Sequence, residues 1–304
     1  MLADLLSAHI SSDLNEQWDI RKRGEIMTVE EVKEYINSST EYDFLRDYHH
    51  KIAFLTLGGS YAYGTNTEDS DIDLRGVFLS DKREILLNNN PNNLEKTDDH
   101  KDVDTMLHSH IKMINMLAKG NPTYLELLYF APDRYLYVSD IGMELIKNRD
   151  MFLSKRVYHA LIGCVKSFMR DTLYSYYPSM ILSEEVLKKR KNKACKAMMH
   201  AVRMLINGIN IMKYKEIIPL QEEVLNDLQE IRSGIYGEDS ICYEGVRENL
   251  MMFQPNKELR GKIAMLHKDF ILAFTTATLP DEPDWDRINN FLMTTNERIV
   301  RGMV

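Results

Sequence analysis

The sequence of 304 residues predicts an α+β fold, in which a small mixed β-sheet with helices precedes a mainly helical C-terminal region. Short apolar runs at 51–57 and 71–79 have the length and composition of strands, and every strand signal falls before residue 110. After about residue 140 the apolar residues recur at helical spacing in four stretches, 153–169, 194–213, 218–231 and 259–277.

Residues 1–50 are expected to form helices. Thr28-Val29-Glu30-Glu31 has the pattern of a capping box, in which a threonine begins a helix and a glutamate three residues later completes the cap. The first strand, KIAFLTL at 51–57, stops at Gly58-Gly59. The second strand, DIDLRGVFL at 71–79, alternates in polarity at its start, as a strand with one polar face does.

The run NNNPNN at 88–93 predicts a turn or loop. A third strand is expected at 103–107 and a helix at 111–118, which ends at Gly120. Asn121-Pro122 supplies the cap and the first position of the next helix. These signals divide the chain into a helical extension at 1–50, a catalytic domain at 51–145 and a helical domain at 146–304, with the second boundary somewhere in 130–155.

Composition restricts the class of protein. There are 46 acidic and 38 basic residues, a formal charge of −8, which argues against a protein that coats long duplex nucleic acid but allows a local basic cleft. The three cysteines form no CxxC pair, which argues against disulfides and structural zinc. We see no basic-then-apolar leader and no apolar run of about 20 residues. We therefore expect a cytoplasmic protein with no membrane partner.

The candidate catalytic residues begin with Asp71 and Asp73. On a strand, residues two apart project from the same face, so the two carboxylates would repel each other unless a cation lay between them. Hard divalent ions such as Mg²⁺ prefer oxygen ligands. Two such ions, about 4 Å apart, can clamp the attacking and leaving oxygens of a phosphoryl transfer. The pattern predicts a site for two Mg²⁺ or Mn²⁺ ions.

A candidate phosphate site precedes the two aspartates. The turn at Gly59-Ser60 follows a strand, where a glycine exposes backbone N–H groups and a helix N-terminus favours anions. Ser60 adds a hydroxyl donor. We expect this turn to hold the β- and γ-phosphates of a nucleoside triphosphate while the carboxylates hold metal ions at the α-phosphate.

A Gly-Ser pair, ten residues (Tyr61 to Ser70) and then Asp-x-Asp resembles the signature of the polymerase-β-like nucleotidyltransferase superfamily. The longer string GGSYAYGT…DSDIDLRGVF looks more narrowly like bacterial and phage nucleotidyltransferases associated with RNA repair. Further matching pieces extend the resemblance over roughly 50–292: Lys112, Gly120-Asn121-Pro122 with Glu126-Leu127-Leu128, Lys196-Ala197-Met198-Met199-His200 with Arg203, Ile231-Arg232-Ser233-Gly234, and Leu279-Pro280.

The resemblance implies a third carboxylate on a neighbouring strand. Its expected position points to Asp104, with Asp102 as the alternative on the same strand face. In the superfamily mechanism this group helps to deprotonate the attacking hydroxyl or to hold it on a metal ion. A lone Asp-x-Asp or a lone Gly-Ser turn is common, so the combination at this spacing carries the prediction.

Other polar residues have both a functional and a structural interpretation. Arg75 either binds a substrate phosphate or forms a salt bridge with Asp73. Lys196, His200 and Arg203 lie at helical spacing on one stripe that could face a triphosphate or an RNA backbone. The alternative is that His200 is neutral and packed in the core. We interpret the histidines of His108-Ser109-His110 as structural rather than as metal ligands.

The predicted reaction is attack by a hydroxyl on the α-phosphate of an NTP, with release of pyrophosphate. The preferred acceptor is an RNA 3′ end, including that of damaged tRNA, and no template is expected. A protein hydroxyl (AMPylation) and a small-molecule hydroxyl remain alternative acceptors. A non-catalytic nucleotide-binding regulator is the competing class.

Overall fold

The computed structural model describes residues 27–67, 70–97, 103–176, 183–238 and 254–304. The strands are β1 (Ile52–Leu57), β2 (Ile72–Phe78), β3 (Asn93–Thr97), β4 (Val103–Ser109), β5 (Tyr135–Val138), β6 (Gly237–Glu238) and β7 (Gln254–Pro255). The α-helices are α1 (Val29–Ser38), α2 (Asp43–Tyr48), α3 (Gly59–Tyr63), α4 (Lys82–Leu86), α5 (His110–Ala118), α6 (Pro122–Glu126), α7 (Asp140–Lys147), α8 (Arg156–Tyr176), α9 (Glu184–Tyr214), α10 (Leu225–Ser233), α11 (Lys257–Thr276) and α12 (Trp285–Val300).

The first of two compact units contains a five-stranded sheet and comprises the described residues up to 118, then 123–152 and 284–304. The strand order is β3-β4-β2-β1-β5. Strands β2 and β4 run parallel and the other neighbours run antiparallel, so the sheet is mixed. Together with the many helices, this sheet confirms the predicted α+β fold class.

One face of this sheet is covered by the helical segment at 27–48. Val32 and Ile36 of α1 are buried in the same apolar cluster as Leu57 of β1 and Leu74 of β2. The predicted capping box is confirmed, because the Thr28 hydroxyl accepts a hydrogen bond from the Glu31 N–H at 3.3 Å. Since burial of each such aliphatic side chain stabilises a fold by about 1.5–3 kcal/mol, this segment is part of the core of the unit.

The opposite face of the sheet carries the polar residues of β2. Ile72 and Leu74 are fully buried on the helix-covered face, so the alternation of a strand directs Asp73 and Arg75 to the other side. The residue pattern of β2 therefore specifies a sheet with one apolar face and a charged patch on the other.

The last helix, α12, belongs to the first unit although it follows the second in sequence. Arg287 at its start forms two hydrogen bonds with the Asp150 carboxylate, at 2.7 and 3.0 Å. His110 of α5 is buried, and its Nε2 lies 2.8 Å from Asn296 Oδ1, while its Nδ1 accepts from the Ser80 N–H. Burial lowers the pKa of His110, so the ring is neutral and joins α5 to α12.

The second unit consists mainly of helices α8 to α11 and comprises 119–122 and the described residues of 153–283. Helix α9 packs against α8, α10 and α11. It begins ten residues before the predicted stretch at 194, where Ser183 caps it by accepting from the Val186 N–H. The first ten residues of α9 are rich in basic side chains and show no helical spacing of apolar residues, so the apolar periodicity did not predict this part of the helix.

Several boundaries differ from the prediction for local reasons. The helix expected at 218–231 starts only at Leu225, after a 3₁₀ turn at Glu222–Val224. Pro219 disfavours helical backbone at Ile218, the first residue of the expected stretch. Within the described residues, no helix has the length and apolar character needed to span a bilayer. The predicted domain boundaries at 50/51 and 145/146 stay predictions.

The close packing of α9 on α11 gives a testable prediction. A Cβ at Gly208 of α9 would lie 2.5 Å from Cε2 of Phe270, a fully buried ring on α11. We expect Gly208→Ala to lower the free energy of unfolding by about 1–3 kcal/mol, because overpacking exceeds the gain in helix propensity.

Gly163→Ala on α8 is the matched control, because a Cβ there would meet nothing within 4 Å. It should raise the free energy of unfolding by about 0.5–1 kcal/mol through helix propensity alone. Urea denaturation of both variants measures the two signs, and equal effects would contradict this packing.

Candidate active site

The site is built around two aspartates on neighbouring parallel strands. Asp73 of β2 and Asp104 of β4 are register partners, so both side chains project from the same face of the sheet. Both are half-buried, with side-chain exposures of 19% and 36%. Parallel strands lie about 4.8 Å apart, which brings the two carboxylates within reach of one cation.

Arg75 supplies a cation to this pair. Its Nη2 donates to Asp73 Oδ1 at 3.0 Å and to Asp104 Oδ2 at 2.6 Å. Its Nη1 donates to the backbone carbonyls of Leu74 and Asp104, both at 2.9 Å. Four acceptors thus hold the planar guanidinium, which suits arginine because its donors form a rigid fork.

The pKa of Asp73 reflects its burial and the charges around it. Burial raises the pKa of Asp73 to about 6, Arg75 offsets part of the rise, and Asp104 and Asp71 raise it further. Arg75 brings one positive charge to the three carboxylates of Asp71, Asp73 and Asp104, so it neutralises the cluster only in part. Uncompensated carboxylate oxygens are the hard ligands that Mg²⁺ and Mn²⁺ prefer, so Asp73 and Asp104 fit a divalent ion.

The other predicted carboxylates are placed differently. Asp71 is exposed and comes directly before β2, close enough to affect the pKa of Asp73. Asp102 lies outside the described residues. In the part of the chain that the structure describes, no group of three or more His, Cys, Asp or Glu side chains gathers as a metal ligand set. Two of the three predicted metal ligands, Asp73 and Asp104, are thus brought together.

The glycine turn lies directly against Asp73. Gly59 begins the five-residue helix α3 with a φ of +52°, and a Cβ there would lie 1.6 Å from Asp73 Oδ2. The Gly58 N–H donates to the Asp73 carbonyl at 2.8 Å. Only glycine permits this approach, so Gly59 borders the carboxylate on its Oδ2 side, and the half-buried Ser60 follows it in α3.

A buried contact that sequence reasoning missed positions the other end of α3. The Tyr63 hydroxyl donates to Glu126 Oε2 at 2.9 Å, and Glu126 is only 2% exposed. Glu126 was part of the matching string after Gly-Asn-Pro, without an assigned role. Its burial beside a tyrosine hydroxyl indicates that it holds α3, and with it the glycine turn, against α6.

The sheet face beyond Asp104 carries a second polar group. His108 of β4 is buried, its Nδ1 lies 2.9 Å from Asn93 Oδ1, and Tyr124 packs against its ring. Burial lowers the pKa of His108 to about 4, with Lys112 and Arg75 adding to the effect. Lys112 Nζ also donates to Asn93 Oδ1, at 2.7 Å. These contacts give His108 a structural role as a neutral ring.

Lys196, His200 and Arg203 lie on α9, in the second unit. Their exposure differs: Lys196 is exposed, His200 is half-buried and Arg203 is 2% exposed. His200 stacks on Phe168, with ring centroids 5.3 Å apart. Burial lowers the pKa of His200 to about 3, and Arg203, Lys196 and Arg232 lower it further, so the ring is neutral in a basic surrounding.

Most of the chain is similar to a known protein family. Residues 36–294 match the model of a family described as the RNA repair pathway DNA polymerase beta family. An uncharacterised 38.9 kDa protein of Enterobacteria phage T4, from the nrdC-mobD intergenic region, is 32% identical over 103 residues. That match covers 31% of each protein, so the chain spans about a third of this relative's length.

A solved nucleotidyltransferase-like protein from Exiguobacterium sibiricum is also similar. It is 10% identical, with 81% of this chain and 75% of that chain covered and a TM-score of 0.29. The family match begins at residue 36, earlier than the resemblance predicted from about residue 50. This family match confirms the predicted family.

The approach of Gly59 to Asp73 can be tested by adding one methyl group. We expect Gly59→Ala to lower the free energy of unfolding by about 3 kcal/mol or more, because a left-handed alanine is strained and its Cβ displaces the carboxylate. Gly302→Ala is the control, since its φ is +68° but nothing lies within 4 Å. It should cost only the strain, about 1 kcal/mol. Similar losses in both would contradict the contact.

The neutral state of His200 predicts a pH effect on stability. Its folded pKa of about 3 lies below the unfolded value of about 6.5. Below pH 6.5 the unfolded chain therefore binds a proton that the folded chain does not. This contribution to stability is complete above about pH 6.5 and decreases toward pH 3, by up to about 1.4 kcal/mol per pH unit.

His200→Gln should therefore lose less stability between about pH 6.5 and 5 than the unaltered protein, by about 1–2 kcal/mol. Denaturant titrations at several pH values measure the difference. His267→Gln, at an exposed position of α11, is the control and should retain the full loss. If His200→Gln also retains it, His200 is not a buried neutral residue.

Proposed function

The chain belongs to the RNA repair pathway DNA polymerase beta family, and on that premise we propose that it transfers a nucleoside monophosphate from an NTP to a hydroxyl acceptor. The preferred acceptor is an RNA 3′ end, and the addition requires no template. One or a few nucleotides are added in each event, since the acidic chain offers no support for a long basic groove.

The observation that carries this proposal is the pairing of Asp73 with Asp104 beside Gly59. The two carboxylates are in register across β2 and β4, and the glycine turn approaches Asp73 so closely that a side chain is excluded. Phosphoryl transfer requires mainly positioning and charge neutralisation. A carboxylate pair next to a glycine turn supports both requirements.

In this proposal the carboxylates of Asp71, Asp73 and Asp104 together supply the negative charge that attracts the divalent metal, either Mg²⁺ or Mn²⁺. When bound, the metal would neutralise charge on the α-phosphate and promote ionisation of the acceptor hydroxyl. Asp104, the more exposed of the pair, accepts the proton of that hydroxyl at a carboxylate oxygen. The hydroxyl oxygen bonds to the α-phosphorus as the bond to pyrophosphate breaks.

The substrate triphosphate is assigned to the turn before β2. Gly59 lies on the Oδ2 side of Asp73, and we assign the β- and γ-phosphates to its backbone N–H and to the hydroxyl of the next residue, Ser60. Tyr63 and Glu126 keep this turn in place through their buried hydrogen bond. Lys196, His200 and Arg203 stay proposed nucleotide contacts of the helical unit.

An RNA acceptor is supported by the charge distribution of α9. In a chain with a formal charge of −8, this helix exposes Lys188, Lys189, Lys193 and Lys196. Lys189 is paired with Glu185 at 2.8 Å, which leaves the others as the stronger phosphate ligands. Lysines that contact phosphates supply most of the sequence-independent affinity for nucleic acids. The family's description names RNA repair.

A non-catalytic nucleotide-binding module is the second candidate. Arg75 already bridges Asp73 and Asp104, which is the arrangement expected where a protein cation has replaced a metal permanently. Such a module would bind an NTP at the glycine turn without transferring it. The two candidates differ in whether Asp73 is needed for transfer or only for binding.

Transfer of a labelled nucleotide tests the proposal directly. The purified protein would receive each NTP labelled at the α-phosphorus, Mg²⁺ or Mn²⁺, and tRNA with either a complete or a trimmed 3′ end. We expect label in RNA, and we expect Asp73→Asn to reduce it by about a hundredfold or more, since it removes charge at the reacting phosphate. Asp140→Asn, an exposed residue of the same unit, is the matched control and should retain activity.

The acceptor group is tested with the same RNA carrying a 3′-phosphate, which should receive no label. Label on protein would instead indicate AMPylation. NTP binding without transfer to any acceptor, and with equal behaviour of Asp73→Asn and Asp140→Asn, would contradict a catalytic role for Asp73 and favour the regulatory module.

A further inference from the structure

Arg75 contacts the two catalytic carboxylates in the place where a cation would bridge them. One nitrogen, Nη2, donates to an oxygen of Asp73 and to an oxygen of Asp104, at 3.0 and 2.6 Å. A divalent ion bound to these same two oxygens would occupy the position of Nη2. Ion and guanidinium therefore exclude each other at this position.

The guanidinium is also anchored to the sheet. Nη1 donates to the carbonyl oxygens of Leu74 and Asp104, both at 2.9 Å, so the side chain is fixed by backbone on two strands as well as by the carboxylates. If the Arg75 side chain moved away, its guanidinium would lose all four hydrogen-bond acceptors. The guanidinium also keeps its positive charge at any physiological pH. These contacts are those of a permanent component of the site.

The charges of the site are consistent with this role. Three carboxylates, those of Asp71, Asp73 and Asp104, together with one guanidinium leave two negative charges, which a single divalent ion neutralises. The free oxygen of Asp73 is Oδ2, which lies on the side of Gly59. An ion there would be next to the turn assigned to the triphosphate and on the side away from Arg75.

We propose that Arg75 replaces the metal ion between Asp73 and Asp104, so that the site binds one divalent ion together with the NTP rather than two. Asp73 Oδ2 and Asp71 hold that ion, and Arg75 orients the pair and takes over the charge of the second ion. This inference rests on the proposed function. It makes Arg75 a positioning residue of the reaction, and it differs from the two-ion site that the Asp-x-Asp pattern predicts.

The number of bound ions is the direct test. Mn²⁺ would be titrated into the full chain with a saturating non-hydrolysable NTP analogue at about pH 8, where carboxylates are ionised, and free Mn²⁺ followed by electron paramagnetic resonance. We expect one ion per chain in the unaltered protein. In Arg75→Gln we expect a second ion, or an at least tenfold higher affinity at the pair. The control Arg83→Gln, an exposed position of α4, should bind one ion.

Three further variants keep the test independent of how well Arg75→Gln folds. Asp104→Asn should change the affinity for the single ion by less than about threefold, whereas Asp71→Asn should weaken it by about tenfold, or about 1.4 kcal/mol. Arg75→Lys keeps the charge and should still bind one ion. Rescue by lysine but not by glutamine supports replacement of the ion by a protein cation.

Two ions in the unaltered protein would overturn the inference, as would a single ion in Arg75→Gln with unchanged affinity. Nucleotide transfer that requires Asp73 would in either case leave the proposed function intact. Absence of any NTP-dependent Mn²⁺ binding would overturn both, and labelled transfer would then also be absent.

Discussion

The repulsion between two half-buried carboxylates is the interaction on which the rest of the site depends. Asp73 and Asp104 face each other across the parallel strands β2 and β4, and burial raises the pKa of Asp73 to about 6. Such a pair is costly unless a cation compensates it or one carboxyl keeps its proton. Arg75 provides one cation from within the chain, and the remaining negative charge makes the pair suited to a divalent ion.

The fold supports this arrangement by separating apolar and charged residues on the two faces of one sheet. Val32 and Ile36 of α1 join Leu74 in the core on one side, which leaves the charged face to Asp73 and Arg75. On that side the lack of a side chain lets Gly59 lie directly against Asp73. The hydrogen bond between Tyr63 and Glu126 fixes the other end of α3. The site is thus formed by strand register and one glycine.

Much of the site could be predicted from the sequence, because its signals are local. The alternation of β2 and the Gly-Ser turn are contained in about twenty residues, and the strands that carry Asp73 and Asp104 were both expected. The pairing of those strands could not be read, since the register of β4 on β2 depends on contacts distant in sequence. The bridging role of Arg75 follows from that pairing. The Tyr63–Glu126 hydrogen bond likewise joins residues that lie 63 positions apart in the sequence. Strand β5 was missed because it has four residues, all half-buried, with no polar alternation. Helix α12 was also missed, although its buried residues Ile288, Phe291 and Ile299 recur at helical spacing.

The central claim is that the carboxylate pair beside Gly59 is the catalytic centre. Anomalous diffraction from crystals grown with Mn²⁺ and a non-hydrolysable NTP analogue tests it most directly. We expect a manganese peak about 2.1 Å from a carboxylate oxygen of Asp73, with an oxygen of the α-phosphate bound to the same ion. A nucleotide bound elsewhere, or one bound at the glycine turn with manganese away from Asp73 and Asp71, would contradict it.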